Sequence, residues 1–300
     1  MALELTQALI EQWVSLTKGQ FNVKDIWSEV DIRTTEGKKH LRTILTRLEE
    51  KGIVKQTDRG FGNYRVVDNS APKIDWQSAN SENIVPIKWP FGIEKYASIY
   101  PKNVVIIAGA KQEGKTTFLY NFIKMNMHNF KVDLFNSETG AEQMKDRFTD
   151  LGIPMDANFD VYERYDNFAD VIQPNRISVI DYLDFNSEFY LAGAEIDAIF
   201  RKLTTGIAVI GMQIPPPTVT FFKGVKKVVD RDYAYGGGST AKRAFIYISM
   251  SSRRLKIKHA KKPAQKNMNP ENITWSYQYD SNGQFANIER YYGEQQEDNF

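Results

Sequence analysis

Val104-Val-Ile-Ile-Ala-Gly-Ala-Lys-Gln-Glu-Gly-Lys-Thr-Thr117 is the stretch around which the rest of the chain can be read. Val104 to Ala108 is an unbroken apolar run and predicts a strand buried on both faces. Gly109, four further residues and then Gly114-Lys115-Thr116 make G-x-x-x-x-G-K-[ST], the pattern of a loop that wraps a polyphosphate. Glycine at both ends lets backbone N–H groups close around phosphate oxygens with no Cβ in the way. Lys115 supplies a point charge for the outer phosphates. The Thr116 hydroxyl is a hard oxygen ligand suited to Mg2+. From Thr117 onward, Phe118, Leu119, Phe122, Ile123 and Met125 predict a helix, which sets the phosphates at a helix N-terminus. Gly109, Gly114, Lys115, Thr116 and Thr117 are thus the expected nucleotide-binding set.

The 300 residues allow one large domain or two smaller ones, and 42% hydrophobic content is enough for a proper core. Without cysteine there is neither a disulfide framework nor a thiolate metal site. His40, His128 and His259 lie far apart in sequence, which argues against zinc. No apolar run approaches the roughly 18 residues of a membrane span. The N-terminus, Met-Ala-Leu-Glu-Leu-Thr, lacks the basic and apolar regions of a secretory signal. The expectation is a soluble, cytoplasmic protein with no membrane partner.

Residues 1–68 read as a small separate unit. Leu5, Leu9, Ile10 and Trp13 predict a first helix; Asn22 can cap a second with Val23, Ile26 and Trp27. Thr34 or Thr35 can cap a third, with Leu41, Ile44, Leu45 and Leu48 at helical spacing and Gly52 as its stop. Ile53 to Gln56 and Tyr64 to Val67, joined by a turn at Asp58 to Gly62, predict a hairpin. Three helices followed by a hairpin resemble a winged helix-turn-helix domain. That resemblance implies that Lys38, Lys39, His40, Arg42 and Arg47 on the third helix, with Arg59 at the wing tip, meet duplex DNA. A protein-docking role for the same face stays open. Residues 69–94, punctuated by Pro72, Pro86 and Pro90, are expected as a linker, part of it lying along the second domain or a neighbouring subunit.

Past the phosphate loop, Lys131 to Phe135 predicts a strand that exits into Asn136-Ser-Glu138, followed by a helix from Ala141. Arg176 to Asp181 is a buried strand ending in an acid, with Tyr182 rather than Glu next. Ile207 to Gln213 is another strand with a polar exit. In this order the motifs resemble the RecA superfamily and, within it, DnaB-like motors, over residues 95–280. The resemblance implies ATP and Mg2+ as cofactors and Glu138 as the catalytic carboxylate, with Glu142 as fallback. It implies Asp181 as the second Mg2+ ligand (Asp184 a weaker one) and Gln213 as the γ-phosphate sensor. The implied fold class is α/β: a RecA-like core with a mainly parallel sheet over 95–285, preceded by the small winged helix, and followed by a polar tail at 286–300.

Residues 223–266 carry thirteen Lys and Arg against only Asp230 and Asp232, an excess that calls for an anionic partner. Within it, Tyr235-Gly-Gly-Gly-Ser-Thr-Ala-Lys-Arg243 resembles the glycine-rich DNA-binding loop of RecA-type proteins, with Lys242 and Arg243 set to pair phosphates of single-stranded DNA. The same resemblance offers Lys258, Lys261 and Lys262 as candidates for a cation reaching a neighbouring subunit's phosphate. The functions it implies are a helicase-like hexameric ring, including one carried by a mobile element, a recombinase filament, or a non-motor ATP-gated DNA-binding regulator or loader.

Overall fold

The computed structural model describes residues 5–293 except 18, 59, 61, 184–190, 223, 224 and 230, with the backbone alone for 218–222 and 225–229. Arg59, Asp184, Lys223, Asp230 and the tail beyond 293 therefore lie outside the described residues, as do the side chains of Lys226 and Lys227. The chain divides into two units, Met1–Ala79 and Asn80–Phe300.

The first unit holds α1 (Gln7–Leu16), β1 (Gln20–Asn22), α2 (Val23–Glu29), α3 (Thr35–Glu50), β2 (Val54–Asp58) and β3 (Asn63–Val66). Asn22 closes a capping box with Asp25 at the start of α2, and the Thr34 side chain accepts the Gly37 N–H at the start of α3. Ile10, Ile26, Leu41, Ile44, Leu45 and Leu48 converge in one apolar core. Each such burial stabilises the unit by roughly 1.5–3 kcal/mol. The strands pair in the order β1-β3-β2. β1 is not legible in the sequence, since only three residues of the chain between helices enter the ladder.

The second unit is an α/β sandwich. β4 (Val104–Gly109) leads into α4 (Lys115–Asn126), followed by β5 (Val132–Asn136), α5 (Ala141–Asp150), β6 (Asp160–Glu163), α6 (Phe168–Val171), β7 (Ile177–Asp181), α7 (Ala192–Lys202) and β8 (Ile207–Gln213). A separate hairpin, β9 (Thr218–Phe222) with β10 (Val225–Val229), precedes the short α8 (Gly238–Ala241). β11 (Ala244–Ser251), β12 (Arg254–Ala260), β13 (Thr274–Tyr279) and β14 (Phe285–Tyr291) complete the chain. Among the described residues the main sheet runs β14-β13-β12-β11-β4-β8-β7-β5-β6. The pairs from β11 through β6 are parallel, and β12, β13 and β14 add on antiparallel. The expected mainly parallel sheet is thus present, with the phosphate-loop strand at its centre.

Every residue of β4 is buried because successive side chains serve opposite faces. Val105 and Ile107 pack with Phe118, Leu119, Phe122 and Ile123 of α4. Val104, Ile106 and Ala108 pack with Ile196 and Ile199 of α7. Two covered faces leave the C-terminal edge of the parallel strands as the open end, where such sheets bind ligands.

Two expected boundaries change. Within the linker expected over 69–94, Ile87, Trp89 and Ile93 are buried in the core of the second unit, where Trp89 packs on Phe122 with ring centroids 4.6 Å apart. Phe91 and Gly92 turn the chain at positive φ, so the prolines mark a tight bend and not a tether. Within the tail expected over 286–300, the residues up to Tyr291 belong to β14 and pair with β13. Among the described residues no helix is long and apolar enough to cross a membrane.

Candidate functional site

The loop between β4 and α4 opens on a cleft of about 740 Å³ lined by Lys111, Lys115, Thr116, Thr117, Glu138 and Gln213 among others. Gly109 and Gly114 are required here for different reasons. A Cβ on Gly109 would lie 2.4 Å from Lys115 Cγ. Gly114 sits at φ +81°, and a Cβ there would lie 2.1 Å from the Tyr279 hydroxyl. Lys115 folds back over the loop, its Nζ donating to the Gly109 and Ala110 carbonyls at 3.1 and 3.3 Å. Burial holds the Lys115 ammonium below its usual pKa, against the opposing pull of Asp181, Glu138 and Glu113.

Asp181 ends β7 beneath the loop, and its Oδ1 accepts the Thr116 hydroxyl at 3.2 Å. Its Oδ2 is buried with no hydrogen-bond partner among the described residues. A buried orphan carboxylate oxygen beside a threonine hydroxyl is a hard oxygen donor set, and it fits Mg2+. Thr116 and Asp181 would hold the ion, whose chemistry when bound is to neutralise phosphate charge.

Burial pushes the Asp181 carboxyl up to about 6, with the Thr116 bond lowering it and Glu138 raising it further. An acid whose folded-state pKa is raised holds its proton more tightly folded than unfolded. Metal-free wild type therefore loses stability as pH rises from the ordinary carboxylate range through about 6. Asp181→Asn is expected to be more stable than wild type by about 1–3 kcal/mol at pH 8 in chelator, a gap that closes by pH 4. Adding Mg2+ should stabilise wild type and not the variant. Urea denaturation at both pH values, with and without the metal, reads both effects.

Glu138 is presented by a turn locked from within. Asn136 Oδ1 accepts the Thr139 N–H at 3.2 Å and its hydroxyl at 2.8 Å, and Asn136 Nδ2 donates to the Thr139 carbonyl at 2.6 Å. The turn is tied to the end of β7, where the Ser137 N–H donates to the Asp181 carbonyl at 3.0 Å and its hydroxyl to the Tyr182 carbonyl at 2.8 Å. Glu138 is exposed and lines the cleft, and its charge reaches both Lys115 and Asp181. Glu142 is not among the cleft-lining residues.

Gln213 pairs in register with Gly109 across the parallel β4–β8 ladder, and the Ile214 N–H donates to the Gly109 carbonyl at 3.0 Å. The Gln213 carbonyl in turn accepts the Tyr235 N–H at 2.9 Å, at the entrance to the glycine loop. The cleft thus gathers a phosphate loop, two metal-type oxygens, a carboxylate from the strand-to-helix turn after α4, and a glutamine on the neighbouring strand. The core is RecA-like.

No family model matches the chain, and no curated protein is matched by its sequence. Among solved structures the RecA-like core is similar to the RadB recombinase, 12% identical, covering 61% of this chain and 90% of that one with a TM-score of 0.41. It is also similar to the ATPase domain of a DnaB-like helicase, 14% identical, covering 63% of this chain and 86% of that one with a TM-score of 0.42. These likenesses are distant, and the functional reading rests on this chain's own residues.

Several expected site residues stand elsewhere. Arg243 forms an ion pair with Asp197 of α7 and lies 4.7 Å from the Phe200 ring centroid, so it is anchored and not free to meet phosphate. Lys242 beside it is exposed. Lys258 is paired with Asp232 at 3.0 Å, and Lys256 holds the same carboxylate at 2.8 Å. Lys261 and Lys262 are exposed. On α3, Lys39, Arg42 and Arg47 are exposed, while Lys38 is half-buried with its Nζ 4.4 Å from the Trp27 ring centroid.

Sequence reasoning also missed the far wall of the cleft. Tyr279, Ser281, Asn282 and Gly283, from the end of β13 and the turn into β14, line it. The Tyr277 hydroxyl donates to the Glu113 carbonyl at 2.8 Å and so fastens this hairpin to the phosphate loop. Arg147 of α5 lines it too; the signal is an arginine beside the apolar stripe Met144, Phe148 and Leu151.

Proposed function

We propose that the chain is a Mg2+-dependent ATPase whose nucleotide state is transmitted to DNA, working as a homo-oligomer in the manner of a helicase-like ring. One observation carries the coupling: the hydrogen-bond path from Gly109 through Ile214 and Gln213 to Tyr235. A shift at the γ-phosphate that moves Gln213 is felt one bond later at the glycine loop. In this reading Lys115 and Thr116 hold phosphates and metal, Glu138 takes a proton from the attacking water, and Asp181 completes the metal site. Lys242 is the phosphate contact of the glycine loop, for single-stranded DNA. The three helices and small sheet of the first unit act as a winged helix, with Lys39, Arg42 and Arg47 on duplex phosphates or bases. Lys261 or Lys262 is the cation that completes a neighbour's site.

A second reading, a non-motor ATP-gated regulator or loader, gains support from the ion pairs of Arg243 with Asp197 and Lys258 with Asp232. Those pairs withdraw two cations that a translocating motor would use.

The test is steady-state ATP hydrolysis with and without Mg2+, single-stranded DNA and duplex, alongside a strand-separation assay. Hydrolysis that needs Mg2+ and rises several-fold with single strands, together with unwinding, is the expected result. Slow hydrolysis, duplex binding and no unwinding select the regulator. No hydrolysis under any condition removes both readings.

A further inference from the structure

Arg147 is the cation of the nucleotide cleft that no motif announces. It sits in the last turn of α5, whose inner face is fixed by buried Met144, by Leu151 just beyond, and by Phe148 packed on Tyr120 with ring centroids 4.9 Å apart. That packing turns the Arg147 side chain to the edge of the core. There it is half-buried and lines the cleft with Lys115, Thr116, Glu138, Tyr182 and Gln213.

Its guanidinium takes part in no hydrogen bond or ion pair among the described residues. Arg176 and Arg243 are about as buried, and each holds a carboxylate. Arg147 has a carboxylate at hand in Asp150, three residues on and lining the same cleft, and does not pair with it. Holding a cation partly out of water without a counter-charge is unfavourable, and a fold keeps it where an anion will arrive. The guanidinium is a planar fork of donors matched to phosphate oxygens, which the Lys115 ammonium is not. Its charge already reaches Asp181, at the metal end of the cleft. A nucleoside triphosphate also brings more negative charge than Lys115 and one divalent ion neutralise.

We propose that Arg147 is a phosphate-binding arginine supplied in cis, closing on the polyphosphate from the side opposite Lys115. This rests on the nucleotide-binding reading above and adds to it. Arg147 is then a residue for binding and orienting the phosphates, distinct from any cation a neighbouring subunit brings.

The experiment uses the full chain with Mg2+ and reads binding of a fluorescent non-hydrolysable ATP analogue, with inorganic tripolyphosphate as competitor. Arg147→Gln should weaken both at least tenfold, while the melting temperature of the unliganded protein stays level or rises. Arg147→Lys should recover only part of the affinity, because a point charge lacks the fork. Unchanged tripolyphosphate competition in Arg147→Gln overturns the proposal, even if analogue binding falls, since that pattern assigns the side chain to the base or ribose. A fall in unliganded melting temperature that Arg147→Lys restores together with affinity also overturns it, in favour of a structural role. Lys115→Ala in the same assay separates the two layers. If it abolishes binding while Arg147→Gln is silent, only the arginine proposal fails. If Lys115→Ala is silent too, the nucleotide reading fails.

Discussion

Glu138→Gln is expected to bind ATP with wild-type affinity and to hydrolyse it at least a hundredfold more slowly. The substitution keeps the shape of the side chain and removes only its capacity to accept a proton. The turn that carries it is held by Asn136, Thr139 and Ser137, none of which bonds to the Glu138 side chain, so the scaffold survives the change. Stability and nucleotide affinity therefore report on the loop, and turnover reports on the carboxylate. Glu142→Gln is the paired control, since Glu142 follows the same strand but is absent from the cleft lining. Normal turnover in Glu138→Gln with a dead Glu142→Gln would move the proton acceptor to the helix. Single-turnover hydrolysis under saturating ATP measures the chemistry free of product release.

What the sequence made legible follows the physics of burial. β4, β5, β7 and β8 are buried along most of their length, so each shows as a short apolar run ending in a functional residue. β6 is exposed throughout and β14 is half-exposed, with Glu289 and Arg290 in its ladder, so neither carries a pattern to read. Charge counting across 223–266 finds a basic stretch, yet it cannot foresee which cations are spent at home. The partner of Arg243 is Asp197, on a helix far back in the chain, and Asp232 holds two lysines of β12. The same limit hides the Tyr279 to Gly283 wall, which reaches the phosphate loop only because β13 and β14 are added to the sheet edge. Motifs name the residues that touch phosphate along one local segment. Residues brought to the same cleft by sheet order leave no local trace.

Lys115→Ala is expected to abolish nucleotide binding, by two orders of magnitude or more, while leaving the unliganded protein folded. The two halves of that expectation have separate causes. In the unliganded state the ammonium is mostly buried and held below its usual pKa by desolvation, with two loop carbonyls as its hydrogen-bond partners. Removing it relieves a buried charge and frees two acceptors at the mouth of a cleft, where water can reach them, so the net effect on stability is small. In the liganded state the same ammonium must leave those carbonyls for phosphate oxygens, at a site whose remaining charges include the carboxylates of Glu138 and Asp181. Without Lys115 those carboxylates face the triphosphate with less to offset them, and repulsion adds to the lost attraction. Calorimetric titration of ATP with Mg2+, alongside thermal melts without ligand, reads both halves. Binding lost with the melting temperature held is the expected pair. Intact binding in a folded Lys115→Ala protein would mean that the loop from Gly109 to Thr117 does not hold a nucleotide.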